Sequence, residues 1–565
     1  MEEQITNPTP AARASRTVPL LVLLVLLAAA VVGAYIVITR HRVVSDPAGY
    51  IPREVAMAAT IDFTETPEKL DAYNFINGLL KEAGQDKALD TIFEELSKEL
   101  KLDFKKDVAA HLNGAAAVAV LDEMVAMPMP KVIAVIGAKS AGDADAVMTT
   151  LGNKLNAEQV AFTRSSYGSV NYYNIPMPTP NGPSPMAMPG LQVVSYVGAV
   201  RSTVVWANSE SAFRKVVDTA NGQPSLLSDN NYATMRKSGP KVFATTYLSG
   251  PNTYKLMEPF FQIAAMQAPP GSLDGMRENM ESLLAVVSTA EASSEGIKCS
   301  TAVASNKQQG GGKPVPIDEM VAGVPKDAAV VMSIGDFAGA WSAAIAEMDK
   351  QPLQKTQFDQ MVQQVKMVSG LDLRADVLDR IKSMQAYYIP RKMAQSANFP
   401  GMVNIVLQVD KPEAVVRTVQ KMHALAGTLG HMPFKPLTID GQSAYAAPLG
   451  AGGGVLTDAM VGDKLLVHIS GTGGTMPAAL AQVKNPGPGL VTSDAFKLVK
   501  SQLQPDSRCL YYGDVGAIIR VFSDAMSPED RKVAESITRK VGTFGISAVS
   551  VDGHDEFEIV IPFTQ

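Results

Sequence analysis

The stretch VPKDAAVVMSIGDF, residues 324–337, decides the fold, because it repeats IPREVAMAATIDF at residues 51–63. With Gly335 taken as an insertion, five of thirteen aligned positions are identical: Pro52/Pro325, Ala56/Ala329, Ile61/Ile334, Asp62/Asp336 and Phe63/Phe337. Further matches follow in the same order. LKLDFKKDV (100–108) faces SGLDLRADV (369–377), and Gly168, Tyr172 and Pro176 face Gly441, Tyr445 and Pro448. SYVGAVRSTVVWA (195–207) faces AMVGDKLLVHISG (459–471), which sets Val197-Gly198 over Val461-Gly462. SLLSDNNYATMRK (225–237) faces GLVTSDAFKLVKS (489–501), and GIKCSTAV (296–303) faces GISAVSVD (545–552). A fixed order of matches with a slowly drifting offset is the mark of an internal repeat. The chain therefore reads as one unit of about 260 residues used twice.

The seam agrees. SNKQQGGGKPVP (305–316) holds few apolar groups and has the composition of a flexible linker. The expected division is a short cytoplasmic tail (1–16), a transmembrane helix (17–39), a linker (40–50), repeat 1 (51–304), a flexible linker (305–320) and repeat 2 (321–565). Each repeat mixes helix and strand signals. VAMAATI and AVVMSI are short apolar runs suited to buried strands. Thr66-Pro67 opens a helix with Leu70, Tyr73, Ile76 and Leu80 at helical spacing, and a second follows with Leu89, Ile92, Phe93, Leu96 and Leu100. Strands are expected at 115–122, 131–138, 170–175, 202–207, 242–248 and 296–304, with helices at 143–155, 210–220 and 252–285. Strands fall in neighbouring pairs rather than in strict βαβ alternation, so the fold class is α+β, with antiparallel or mixed sheets and helices on one face.

Residues 17–39, TVPLLVLLVLLAAAVVGAYIVIT, are free of charge from Val18 to Thr39 and would span about 33 Å as a helix, enough to cross a hydrocarbon core. Arg13 and Arg16 flank one end and Arg40 and Arg42 the other, so basic residues leave the orientation open. The apolar run continues past the small residues Val32-Gly33-Ala34, which favours an uncleaved anchor over a signal peptide. A large acidic body with two cysteines in 565 residues points to an extracytoplasmic location. The net charge is −6, with four Arg against three acids in residues 1–50. An acidic body without basic runs argues against nucleic acid as a partner. The partners expected are the membrane, through the N-terminal helix, and an envelope protein or lipid.

With the repeats in view, the chain resembles the bacterial family built on domain of unknown function 3352. The likeness rests on the "[IV]-P-[basic]-[acidic]" lead-ins at 51–54 and 324–327, the "L-D-[FL]-[KR]-x-D-V" elements at 102–108 and 371–377, the Val-Gly pairs at 197–198 and 461–462, and the segment at 225–232. It implies a membrane-anchored, exported body with two tandem copies, and it carries no catalytic residues to transfer.

Local chemistry is sparse. Cys299 and Cys509 stand 210 positions apart, neither a metal spacing nor a disulfide framework; two separate buried thiols are expected, and one bridge between them is the alternative. His554-Asp555-Glu556 sits where a polar hairpin turn is expected. GTGGTMP (471–477) follows a strand and precedes a helix, but Met476 stands where a phosphate loop needs glycine. Acid pairs such as Asp122/Glu123 and Asp143/Asp145 read as turn or helix-start residues. The 27 methionines lack a regular metal-binding spacing. No catalytic, cofactor-binding or metal residue is assigned and no cofactor is expected. The expected function is non-enzymatic binding or envelope scaffolding, with an exported carrier of a small apolar ligand or lipid, or an exported enzyme with a dispersed site, as alternatives. Differences between the copies, starting with loops 176–190 and 448–456, are where a specific activity is expected.

Overall fold

A computed structural model describes residues 46–62, 107–126, 129–157, 159–176, 194–266, 274–306, 311–349, 352–391, 401–429, 432–450, 454–471, 475–523, 526–551 and 554–563, together with Pro67, Lys69 and Asn74. The expected transmembrane segment 17–39, almost all of the two expected helices between Thr66 and Leu100, and loop residues 177–193 lie outside the described residues. Among those described, no helix is long and apolar enough to cross a membrane. Two compact units divide the chain: the first holds the described residues of 1–70, 87–234 and 243–262, the second those of 71–86, 235–242 and 263–565.

The first unit is an α+β sheet domain. Its strands are β1 (Val55–Asp62), β2 (Leu112–Ala126), β3 (Met129–Ala138), β4 (Thr163–Tyr167), β5 (Val170–Pro176), β6 (Val194–Val200), β7 (Thr203–Ala207) and β8 (Val242–Ser249). All pair antiparallel, in the spatial order β8-β1-β2-β3-β7-β6-β5-β4. The helices are α1 (Ala141–Ala157), α2 (Glu210–Ala220) and α3 (Gly250–Ala265). Ser209 caps α2 by accepting from the Ala212 N–H, and Phe213, Val216, Val217 and Ala220 recur at helical spacing to give it a buried face. Neighbouring residues of β5 show that the helices cover both faces of the sheet. Tyr172 lies 4.7 Å from the Phe213 ring of α2, whereas Tyr173 packs against Gly152 of α1. Successive strand side chains point to opposite faces, so α1 and α2 sit on opposite sides, and the expectation of helices on one face is corrected.

The second unit holds α4 (Asp274–Ser282), β9 (Leu283–Ser293), β10 (Gly296–Ser305), β11 (Val330–Ile334), α5 (Phe337–Met348), α6 (Pro352–Ser369), β12 (Ile381–Pro390), β13 (Gly401–Val409), α7 (Pro412–Leu429), β14 (Lys435–Ile439), β15 (Gln442–Leu449), β16 (Gly454–Val461), β17 (Lys464–Ser470), α8 (Met476–Lys484), α9 (Asp494–Lys500), β18 (Cys509–Asp514), α10 (Val515–Phe522), α11 (Pro528–Lys540), β19 (Thr543–Val551) and β20 (His554–Pro562). Pairing is again antiparallel, in the order β9-β10-β20-β19-β18-β11-β12-β13-β17-β16-β15-β14. The run β18-β11-β12-β13-β17-β16-β15-β14 pairs in the same order as the eight strands of the first unit. Asp336, at the end of the opening quotation, caps α5: its carboxylate accepts from the Gly339 N–H at 2.9 Å and the Lys313 N–H at 2.8 Å.

Several sequence expectations change. The helix expected at 252–285 is two helices, α3 and α4, followed by strand β9; residues 267–273, between them in the chain, lie outside the described residues. β4, β6 and β9 are strands the sequence reading omits. Because β9 is omitted, that reading lays β10 against β19, whereas β10 is the second strand of its hairpin and β19 the first of the next. Both β9 and β10, which the repeat alignment gives to repeat 1, belong to the second unit.

Hairpin registers correct the alignment elsewhere. Val200 pairs with Thr203 around Arg201-Ser202, and Val461 pairs with Lys464 around Gly462-Asp463. Gly462, at φ +60°, is therefore the counterpart of Arg201, at φ +55°, and not of Gly198. Gly198 lies within β6, where a Cβ would meet the Phe213 ring at 2.8 Å and the Asn171 carbonyl at 2.9 Å. One glycine serves a left-handed turn and the other a close approach, so the two Val-Gly pairs are a coincidence of composition. Likewise Tyr167–Val170 and Ile439–Gln442 close the preceding hairpins, which sets Tyr173, not Tyr172, over Tyr445. A slip of one residue moves a side chain to the other face of the sheet.

Candidate functional site

Between α7 and the sheet of the second unit lies a cavity of about 360 Å³, lined chiefly by apolar side chains. Val415, Val419 and Met422 come from α7, Leu407 and Val409 from β13, Leu456 from β16, and Leu465 and Val467 from β17. Asp376 and Val377 come from a single turn of π-helix, Leu373–Val377, a form often found at functional positions. Here the "L-D-[FL]-[KR]-x-D-V" element gains a structural meaning. Asp372 accepts from the Ala375 N–H at 3.1 Å, while the Asp372 N–H donates to Asp376 at 2.9 Å. The two acids, four residues apart, tie the turn closed. The Ala375 N–H and the neighbouring Lys366 ammonium hold the Asp372 carboxyl below the usual carboxylate range.

Besides Asp376 and Thr418, two paired polar side chains, His423 and Asp458, belong to this lining. His423, on α7, sets its Nε2 2.7 Å from Asp458 Oδ2 on β16. The side chains are only 10% and 9% exposed. Asp458, an acceptor when ionised, fixes the proton on Nε2 and leaves Nδ1 as the free ring position. Among the described residues Nδ1 has no hydrogen-bond partner. The imidazole stacks on Phe434 at 4.0 Å and lies 4.8 Å from Tyr445, whose hydroxyl accepts from Gln420.

The first unit differs at the matching positions. Ala138 and Val409 end their strands, and each helix begins after two further residues. Counting from there, Gly152 of α1 matches His423 of α7; counting back from Val200 and Val461, Val197 matches Asp458. Phe162 and Tyr173, at 5.1 Å, match Phe434 and Tyr445. The aromatic pair is thus common to both units, but in the first Tyr173 rests against a glycine and no ionisable pair is present at these positions. Sequence reading missed His423 and Asp458 because they lie 35 residues apart, on a helix and a strand, without a motif. Their signal emerges only from register.

A second polar pair occupies the opposite face. His468 is fully buried, its Nδ1 2.8 Å from Asn404 Oδ1 and its Nε2 2.8 Å from Thr475 Oγ1. Burial pushes its imidazole down to about 4. Thr475 belongs to GTGGTMP, of which residues 472–474 lie outside the described residues; its hydroxyl meets a histidine at the start of α8. The loop expected at 448–456 is mostly strand, because β15 runs to Leu449 and β16 starts at Gly454. Cys299 and Cys509 are both free thiols, half-buried, with burial pushing each upward.

His554-Asp555-Glu556 is not a turn. It opens β20, where Asp555 and Glu556 are buried. Asp555 pairs with Arg508, and Glu556 with Lys237 at 2.6 Å. Glu558, fully buried, pairs with Lys298 at 2.6 Å and accepts from the Gln504 N–H. Of the other acid pairs, Asp122 meets Lys255, Asp143 meets His111, and Glu123 meets Lys131 and Lys215. No group of three or more His, Cys, Asp or Glu stands together as a metal site among the described residues.

No curated protein matches the chain. Among solved structures it is similar to crystal form III of TP0453, at 11% identity and a TM-score of 0.25, covering 47% of this chain and 82% of that one. Crystal form IV of TP0453 matches at 9% identity and a TM-score of 0.25, covering 46% and 81%. No common fold follows from scores at that level. The model of a family described as a protein of unknown function, DUF3352, matches residues 20–552, and the chain belongs to that family.

Proposed function

We propose that this chain is a non-enzymatic binding protein, tethered to a membrane by residues 17–39 with its body outside the cytoplasm, and that its second unit takes a small apolar ligand in the cavity beneath α7. One observation carries the reading: a cavity of about 360 Å³ with an almost wholly apolar wall, within the size range of small-molecule sites. The reading treats the two units as copies of one ancestor, since eight strands pair in the same order in each. In the first copy Tyr173 fills the space against Gly152; in the second, His423 and Asp458 give the same place a polar end. What supports binding over catalysis is the lining itself. A His–Asp pair serves a nucleophile in hydrolytic sites, and Thr418 supplies the only hydroxyl among the described lining residues.

Native mass spectrometry of the full chain, released gently from its membrane, tests the reading. A bound small apolar molecule, lost in Val419→Trp, is expected. Ligand-free protein, or the same adduct in both forms, counts against it. Location is tested separately by a C-terminal reporter that is active only outside the cytoplasm; an inactive full-length fusion removes that part of the proposal.

A further inference from the structure

We propose that the ligand of this cavity is a cationic amphiphile, an apolar chain ending in a primary ammonium group, and that the Asp376 carboxylate receives that end. The inference rests on the cavity reading above. Charge selects the class. Among the described residues the ionisable groups of the lining are Asp376, His423 and Asp458, and no lysine or arginine belongs to it. If His423 is protonated, Asp458 balances it at 2.7 Å; if His423 is neutral, the ionised Asp458 adds a second negative charge. With Asp376 ionised the wall is therefore negative in either state, and no cation of the lining is left to receive a carboxylate or phosphate head group. Asp376, half-buried on the π-helical turn, is placed to use that charge. Its Oδ2 accepts from the Asp372 N–H at 2.9 Å, whereas Oδ1 has no partner among the described residues and is not sealed from solvent. The basic residues around the turn are committed elsewhere: Lys366 pairs with Asp372 at 3.2 Å, Arg374 with Asp379 at 3.9 Å and Arg380 with Asp410 at 3.5 Å. An ammonium has three N–H donors and no acceptor, which suits a carboxylate that only accepts. Opposite charges also attract more strongly beside an apolar wall than in bulk water. The aliphatic side chains of α7, β13 and β17 would then enclose the rest of the chain.

The test uses octylamine, 1-octanol and octanoate, which share one chain and differ at neutral pH in the charge of its end. Each is titrated against the full chain in nanodiscs of zwitterionic lipid, with empty nanodiscs as the blank, for the wild type and for Asp376→Asn. The asparagine keeps an oxygen for the Asp372 N–H and removes the charge. The wild type is expected to bind octylamine about tenfold more tightly than 1-octanol, with octanoate the weakest, and the variant to bind amine and alcohol alike. Alcohol or octanoate bound by the wild type as tightly as the amine, or an unchanged amine preference in the variant, overturns the proposal while leaving the apolar cavity in place. Binding of none of the three by the wild type sinks the cavity reading as well. The wild-type comparison decides the matter even if the variant does not fold.

Discussion

At the scale of single residues, His423 and Asp458 form a unit whose halves do not survive separately. Removing one member of a buried hydrogen-bonded pair leaves the other unsatisfied and costs about 1–3 kcal/mol, whereas replacing both by apolar groups is often nearly neutral. Asp458→Val alone should therefore lower the unfolding free energy by about 1–3 kcal/mol in denaturant titration, and His423→Phe/Asp458→Val should recover most of it. Equal losses in the single and double variants would show that the pair is not coupled. His468 makes a pH prediction. Its folded pKa, about 4, lies below the ordinary histidine value. Between those values the unfolded chain binds a proton the folded chain refuses, so stability is lost as pH falls from about 6.5 to 4, by something on the order of 3 kcal/mol. His468→Gln should flatten stability across that window; an unchanged slope would place the titration elsewhere. Gly198→Ala should cost about 1–3 kcal/mol by thermal unfolding, because the added methyl meets the Phe213 ring and the Asn171 carbonyl.

At the scale of elements, the sequence is legible where periodicity is strong. Helix 210–220 is read to the residue, because Ser209 and the Phe213-Val216-Val217-Ala220 stripe both mark it. Strands β4 and β9 are missed for opposite reasons. TRSSY in β4 is a short polar edge strand with no apolar alternation, while LLAVVSTAEAS in β9 follows helix DGMRENMES directly, with no turn residue between them to mark the change. The acids of β20 mislead in a third way. Their charge suggests a turn, but Lys237 and Lys298 neutralise Glu556 and Glu558 inside the unit. Lys298→Met should accordingly destabilise the β10–β20 pairing by about 3–5 kcal/mol, visible as faster hydrogen exchange along 296–303 and 555–562. Exchange no faster than in the wild type would assign Glu558 another partner.

At the scale of the whole chain, an echo of thirteen residues finds two units with a common strand order, because the repeated motifs sit at strand starts and turns. The fold class, α+β, is legible at this level. The candidate site is not, since it depends on which residue of β5 or β15 faces which helix, and a one-residue error at Tyr172/Tyr445 hides the match between Gly152 and His423. The difference between the units, a glycine and a valine in one against a histidine and an aspartate in the other, is where a binding function separates from a shared framework. The most direct measurement is a titration of the full chain in nanodiscs with an environment-sensitive apolar fluorophore, comparing wild type with Val419→Trp, which fills the chamber from α7. Saturable uptake of one probe per chain by the wild type, abolished in the variant, is the expected result. Uptake that does not saturate, or that is the same in both proteins, would contradict a ligand site beneath α7.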